Sequence, residues 1–452
     1  MQVSPHHVQK TISSPNDLKL HWSVRLLDSL IILSLVIGYF MMSFDRNSAQ
    51  HLLYGAAFAG LLAAFLRLCR VTQMKFSCGK TFNTSVLQGG YKAPLQSGVL
   101  FGLSTLLLAV ASVWWEVEYG ASGQLDWMNE MAWKVAGYWL CSTVLIFYFG
   151  AFKVDIFRYV KSLLPILCLI GAMALLVSGC KQYLHGVHRI ELKLGYPVPA
   201  GFILACLLLV TQVASSSIIC RWQRIAYLVV MTLITAVLVT LTGTRDALLV
   251  LLLLVIGLLW EYRHGLPERF RQPWVYSLVV LLVAVVLGGA FIARFDQLWG
   301  DLNNFFHGVP SGSMGGRFVI WEAGIHSFLE NPWGYTGNAR FMIVQGFLQR
   351  ILVGHEFLVP QIMWAAQHHM HDELIEAMSL MGVVGFLAVV LFYITFYMAS
   401  RRPLMHPMGR WLWAGVIVFG VAEPILNSDK TGLCLAFIIP LCLACSYDTS
   451  SR

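Results

Sequence analysis

Apolar positions along this chain come in long unbroken runs, set apart by short polar stretches. Such runs show neither the alternation of a half-buried strand nor the single stripe of a soluble amphipathic helix. They fall at 26–44, 52–66, 98–115, 131–150, 162–179, 198–219, 225–242, 247–260, 274–293, 374–399, 411–426 and 431–447. Most are about as long as a helix must be to cross roughly 30 Å of hydrocarbon; 52–66 and 247–260 are short for a span. The pattern predicts an all-α polytopic membrane protein with about twelve transmembrane helices. Residues 1–293 hold helices 1–9, residues 294–373 form one long loop, and residues 374–452 hold helices 10–12.

Composition agrees. Of 452 residues, 58% are hydrophobic and only 12% charged, and mean hydropathy is +0.68. Soluble domains average about 25% charged residues, so a soluble enzyme, a nucleic-acid-binding protein and a disordered scaffold are all excluded. The net charge of +8 lies mostly in short loops, with no basic–aromatic array of the kind that tracks a nucleic-acid backbone. No nucleic-acid partner is expected; membrane lipids are. None of the ten cysteines falls in the long loop, so no disulfide-stapled outer domain is expected. The N-terminus lacks a small-residue cleavage site after a short apolar core, which predicts no removable signal peptide.

An even number of spans puts both termini on one side, and the positive-inside rule chooses it. With the N-terminus inside, most of the 31 Lys and Arg residues fall inside and most of the 23 acidic residues outside. Arg67, Arg70, Lys75, Lys80 and Lys92 share one inside loop. The long loop 294–373 is then external. It contains Trp299, Phe305, Phe306, Phe318, Trp321, Phe328, Trp333, Phe341, Phe347, Phe357 and Trp364, which argues for helices lying against the membrane surface. Within it, 317–330 reads as an amphipathic helix with Phe318, Trp321, Ile325 and Phe328 on one face, a flexible lead-in at 311–316, and a stop at Asn331-Pro332.

Three features on the outer side carry candidate chemistry. In Thr242-Gly243-Thr244-Arg245-Asp246, an ionisable residue sits between two apolar runs. A charge at such a position marks a functional site by default, or else Arg245 snorkels to the headgroups. In Gly315-Gly316-Arg317, an Arg beside glycines at a helix start suits an oxyanion or phosphate clamp; the plainer alternative is a surface Arg at a helix N-terminus. In His368-His369-Met370-His371-Asp372-Glu373, with Glu376 one turn on, imidazoles beside carboxylates suit general base chemistry. The alternatives are a polar helix cap and a metal site, although the spacing fits no zinc motif.

Together these segments resemble the O-antigen ligase and polymerase superfamily over about residues 240–390. The resemblance rests on Arg245 at the outer end of a helix pair, on Gly316-Arg317 with Trp321 four residues on, and on Asn331 to Gly337 in an Asn-Pro-x-Gly-x-x-Gly arrangement. It also rests on His371-Asp372-Glu373-Leu374-Ile375-Glu376, followed by Gly382 and Gly385. Asp372 stands where the family usually has Asn. The lipopolysaccharide O-antigen ligases match best. The resemblance implies an inverting, membrane-embedded glycosyltransferase of the GT-C type in the bacterial inner membrane, with cytoplasmic termini and a periplasmic site. Its donor would be undecaprenyl-diphosphate-linked O-polysaccharide and its acceptor a lipid A–core sugar, with no metal and no cofactor.

On that basis His371 is expected to be the general base, with Arg245 and Arg317 clamping the diphosphate. His369 and Arg340 are expected as further site members, and Glu373 or Glu376 as the group that orients the base. His371 and the two arginines should flank a cavity rather than bond one another. Two other functions fit less well. An O-antigen polymerase would extend lipid-linked repeat units, but its Arg-x10-Gly pattern is absent after Arg317 and Arg245. A polysaccharide-lipid flippase or transporter would place ionisable groups at mid-span, where few occur.

Overall fold

A computed structural model describes residues 15–78, 92–120, 126–152, 156, 158–262, 299–310, 312–366, 369–401 and 405–444. Among the described residues the chain is all-helical. The first eight helices are α1 (Pro15–Met41), α2 (Arg46–Cys78), α3 (Lys92–Tyr119), α4 (Asp126–Ala151), α5 (Arg158–Leu184), α6 (Pro197–Ser215), α7 (Arg221–Thr242) and α8 (Arg245–Tyr262). The long loop supplies α9 (Gly312–Glu330), α10 (Gly337–Ile351) and α11 (Val359–Ala366), and the chain continues through α12 (Glu373–Ser400), α13 (Gly409–Gly420) and α14 (Thr431–Ala444).

Eight of these helices have the length and apolarity of a membrane span: α1 to α7 and α12. The protein is therefore multi-pass, though the twelve spans read from the apolar runs are not all reproduced. Span 247–260 lies in α8, whose 18 residues include Arg245, Asp246 and Glu261. Span 431–447 is the 14-residue α14. Span 411–426 is cut short because α13 stops at Gly420 after 12 residues, and 274–293 lies outside the described residues. The stop at Gly420 has a local cause: the run Ala422-Glu423-Pro424 cannot continue a helix through proline, whose ring clashes with the preceding turn.

α6 and α14 form the centre of the bundle. Every residue of α14 is buried, and α6 is buried from Ala200 to Ser215. α1, α4 and α6 pack on α14, while α7 and α8 pack on α6. The peripheral helices turn Phe58 and Phe65 of α2, Ile170 and Val177 of α5 and Leu233 of α7 outward. In a bilayer such a surface meets acyl chains and needs no protein cover.

The long loop folds as a small helical cap with its own core: Val319, Ile320 and Ala323 of α9, Val344, Phe347 and Leu348 of α10, and Ile362 and Met363 of α11. Two expectations need correcting here. The helix begins at Gly312 rather than Arg317, so 312–316 is its first turn and not a flexible lead-in. Asp301 starts it, accepting the Ser313 and Met314 N–H groups at 2.9 and 3.4 Å. The buried face runs through Val319, Ile320, Ala323, Gly324 and Ser327. Phe318, Trp321 and Phe328 are only half-buried and Ile325 is exposed, because small residues let α9 approach α12 more closely than an aromatic face can.

The cap docks on a break in α12. Gly382 (φ 62°, ψ −149°) interrupts that helix in a region open essentially to glycine alone. Backbone groups freed there are taken up by 331–337: the Tyr335 N–H donates to the Leu380 carbonyl at 3.0 Å, and the Val383 N–H to the Pro332 carbonyl at 2.8 Å. Trp115 and Tyr119 at the end of α3 donate to the Tyr335 and Trp333 carbonyls at 2.9 and 3.3 Å. The Asn-Pro-x-Gly-x-x-Gly segment is thus a backbone joint between the cap and the membrane helices.

Candidate functional site

The site lies where the cap meets the turn between α7 and α8 and the irregular segment 421–430. α7 ends at Gly243 in the left-handed conformation (φ 62°). The Thr244 hydroxyl donates to the Pro197 carbonyl at 3.1 Å, which anchors the start of α8 and hence Arg245 and Asp246. Arg317, in the second turn of α9, brings Nη2 to 3.7 Å from Asp246 Oδ2, with both side chains about one-fifth exposed. Arg245 and Arg317 are thereby assembled around one carboxylate, and both charges act on Asp246.

His371 occupies a strained position. Its φ is +54°, in the left-handed region that residues with a Cβ seldom adopt. The surroundings hold it there. The Trp321 indole donates to the His371 carbonyl at 3.3 Å. Asp372 caps α12 by accepting the Ile375 N–H at 2.9 Å. Glu376 accepts the Met370 N–H at 2.7 Å. Strain of this kind persists only where neighbouring contacts fix it, and it concentrates at functional sites.

Glu376 is in turn paired with Arg340 at 2.7 Å; Arg340 is almost fully buried and also donates to the Ser379 hydroxyl at 3.4 Å. Glu373 is buried and accepts the N–H groups of Ile425 and Leu426, the latter at 2.7 Å, and the Asn427 amide at 3.1 Å. Neither carboxylate reaches the His371 ring. One holds the backbone that carries His369 and His371, and the other holds 425–427. Thr431 and Trp139 donate to the Ile425 and Leu426 carbonyls at 2.8 and 2.9 Å. Irregular backbone is tolerated among membrane helices when its polar groups are satisfied in this way.

The carboxylate that does reach the histidines is Glu423. Its Oε1 lies 3.3 Å from His371 Nδ1 and its Oε2 lies 3.1 Å from His369 Nε2. The two imidazoles meet edge to face with centroids 4.2 Å apart. Burial opposes ionisation of Glu423, but contact with His371 and the charges of His369 and Arg317 outweigh it and hold the carboxyl below its ordinary range. His369, His371 and Glu423 present ligand-type atoms within 4.8 Å of one another, a spacing that could admit a divalent ion. The positive charge of Arg317 acting on the same carboxylate disfavours a dication there.

The structure therefore draws Arg245, Arg317, His369 and His371 together and sets Arg340, Glu373 and Glu376 apart as their supports. Sequence reasoning missed Glu423 and Asp246. A signal was available for the first: an acidic residue within an apolar run is expensive and marks function by default, and Pro424 beside it marks a helix end. The expected span 411–426 absorbed both.

The O-Antigen ligase family model matches residues 228–390, a region holding Arg245, Arg317 and His371 but not Glu423. The chain is also 24% identical over 313 residues to the O-antigen ligase of Escherichia coli (strain K12), covering 67% of this chain and 72% of that protein. Both comparisons thus find similarity to O-antigen ligases, in the segment that carries the arginines and His371 and over two thirds of the chain.

Proposed function

We propose that this protein is an O-antigen ligase of the bacterial inner membrane. It transfers O-polysaccharide from undecaprenyl diphosphate to a hydroxyl of the lipid A–core at the periplasmic face, inverting the anomeric centre. His371 removes the proton of the acceptor hydroxyl, and that oxygen attacks the anomeric carbon. The bond from the anomeric carbon to the diphosphate oxygen breaks, and the diphosphate leaves with the electron pair. Arg245 and Arg317 stabilise its growing charge; fixed cations aimed at a leaving group need no reorganisation as charge develops.

The observation that carries this reading is the meeting of three distant segments. Arg317 reaches Asp246 beside Arg245, its charge acts on Glu423, and Glu423 contacts His371. Arg317 and His371 are related through Glu423 rather than bonded to each other, which is compatible with a one-step inversion in which base and cations flank the anomeric carbon. The outer location is supported by neighbours at the same end. Arg46 pairs with Asp429, the Lys193 N–H donates to the Ser43 carbonyl at 3.3 Å, and the Ile190 N–H to the Leu241 carbonyl at 3.1 Å. All lie in loops, or at the ends of the spans beside them, that the charge bias assigns outside, with both termini cytoplasmic.

A lipopolysaccharide gel of a deletion strain tests the function. Loss of a ligase leaves core without O-antigen while lipid-linked polymer accumulates. A core bearing a single repeat unit would instead indicate a polymerase, and a wild-type ladder would exclude both.

A further inference from the structure

Resting on His371 as the base, we propose that Glu423 is its positioning residue, a carboxylate shared between His371 and His369 that sets the tautomer and orientation of the catalytic ring. A histidine whose Nδ1 faces a carboxylate presents Nε2 to its substrate, and the carboxylate stabilises the imidazolium formed on proton uptake. Here His371 Nδ1 is buried and lies 3.3 Å from Glu423 Oε1, within ion-pair distance but not yet aligned as a hydrogen bond, and such catalytic contacts tighten when substrate binds. His369 takes the other oxygen at 3.1 Å and packs edge to face against the His371 ring, so the carboxylate cannot rotate away without losing a partner.

The placement of Glu423 is built rather than incidental. Its helix stops at Gly420, and the following segment is fixed by Glu373, Trp139 and Thr431. Glu373 and His371 flank the start of the same helix, α12, so both members of the proposed pair are referred to one rigid element. That explains two carboxylates so close together: one places the segment and the other faces the base.

Full-length protein reconstituted in lipid, with purified lipid-linked polysaccharide and core acceptor, tests the proposal. Glu423→Gln keeps the shape and removes the charge. It should lower kcat about 10- to 100-fold, part of the 10²–10⁴-fold that a general base supplies, while KM for the donor stays within about twofold. Glu423→Asp should recover part of the loss. Glu322→Gln, on the exposed side of α9, should match wild type. His371→Ala/Glu423→Gln should be no slower than His371→Ala alone. Wild-type ¹⁵N-histidine spectra, assigned by difference from His371→Ala, should show His371 protonated at Nδ1.

Near-wild-type kcat in Glu423→Gln, a rise in KM alone, or an Nε2–H tautomer at His371 would overturn the assignment. So would loss of wild-type activity in EDTA with recovery in zinc, which would make Glu423 a metal ligand. Normal turnover by His371→Ala would remove the base itself, whereas an inactive His371→Ala beside a normal Glu423→Gln would remove only this inference.

Discussion

Arg317 of the helical cap lies 3.7 Å from Asp246, the residue next to Arg245 at the start of α8. The charges of both guanidinium groups act on this one carboxylate, so it offsets part of their mutual repulsion. If they grip a diphosphate, the bidentate fork matters and not only the charge. Arg245→Lys and Arg317→Lys should each reach normal membrane levels and lose most ligation with purified donor. Lys at Arg350, exposed on α10, should be tolerated. Near-wild-type turnover by Arg245→Lys would return that residue to headgroup snorkelling.

The joint between cap and membrane helices gives a second test. A Cβ at Gly334 (φ +103°) would lie 2.5 Å from the Leu380 carbonyl oxygen, and one at Gly382 would collide with the Pro332 carbonyl. Both positions also need conformations that cost other residues about 1–3 kcal/mol. Gly334→Ala and Gly382→Ala should lower the thermal unfolding midpoint in detergent and reduce activity in proportion to folded protein. An unchanged midpoint in both would mean that the joint is not as tight as described.

Arg340 and Glu376 separate support from chemistry. Removing one partner of a buried ion pair costs about 3–5 kcal/mol because the other charge is left without compensation. Arg340→Ala should therefore reduce yield and melting temperature sharply, and Arg340→Met/Glu376→Met should recover much of that loss. Recovery of stability without any recovery of ligation would show that Glu376 is needed to hold the backbone of His369 and His371 and not only to pair Arg340.

Topology can be tested by impermeant thiol labelling of single-cysteine proteins in cells with a permeabilised outer membrane. Cysteine at Ser313, exposed at the start of α9, should label from the periplasm. Native Cys220, exposed at the turn between α6 and α7, should stay protected until the inner membrane is opened. Periplasmic labelling of Cys220 would reverse the orientation.

What the sequence made legible follows from which signals are local. Runs of apolar residues reveal α1 to α7 and α12 because a span is defined by its own length and composition. Arg245 and His371 stand out because each interrupts or borders such a run, and Arg317 because glycines precede it at a helix start within the long loop. The aromatic content of the long loop pointed to order, but its buried face was misjudged. Packing of α9 against α12 favours Val319, Ala323 and Gly324 over Phe318 and Ile325, a choice made by tertiary contact and not by hydrophobicity. The roles of Glu373 and Glu376 were equally hidden: both lie within five residues of His371, yet their partners are Leu426 and Arg340. Glu423, 52 residues downstream of His371, reaches the ring only because the chain breaks at Gly420.

On the reading proposed above, His371 removes the acceptor proton without help from a metal. This role is tested most directly by ligation rate in reconstituted protein, comparing wild type with His371→Ala at equal folded protein, each with and without excess EDTA. General base catalysis contributes about 10²–10⁴-fold. His371→Ala should fall by at least that lower factor while still binding lipid-linked donor, and wild type should be indifferent to EDTA. Turnover by His371→Ala within a few-fold of wild type, or wild-type activity that disappears on chelation and returns with zinc, would contradict the account.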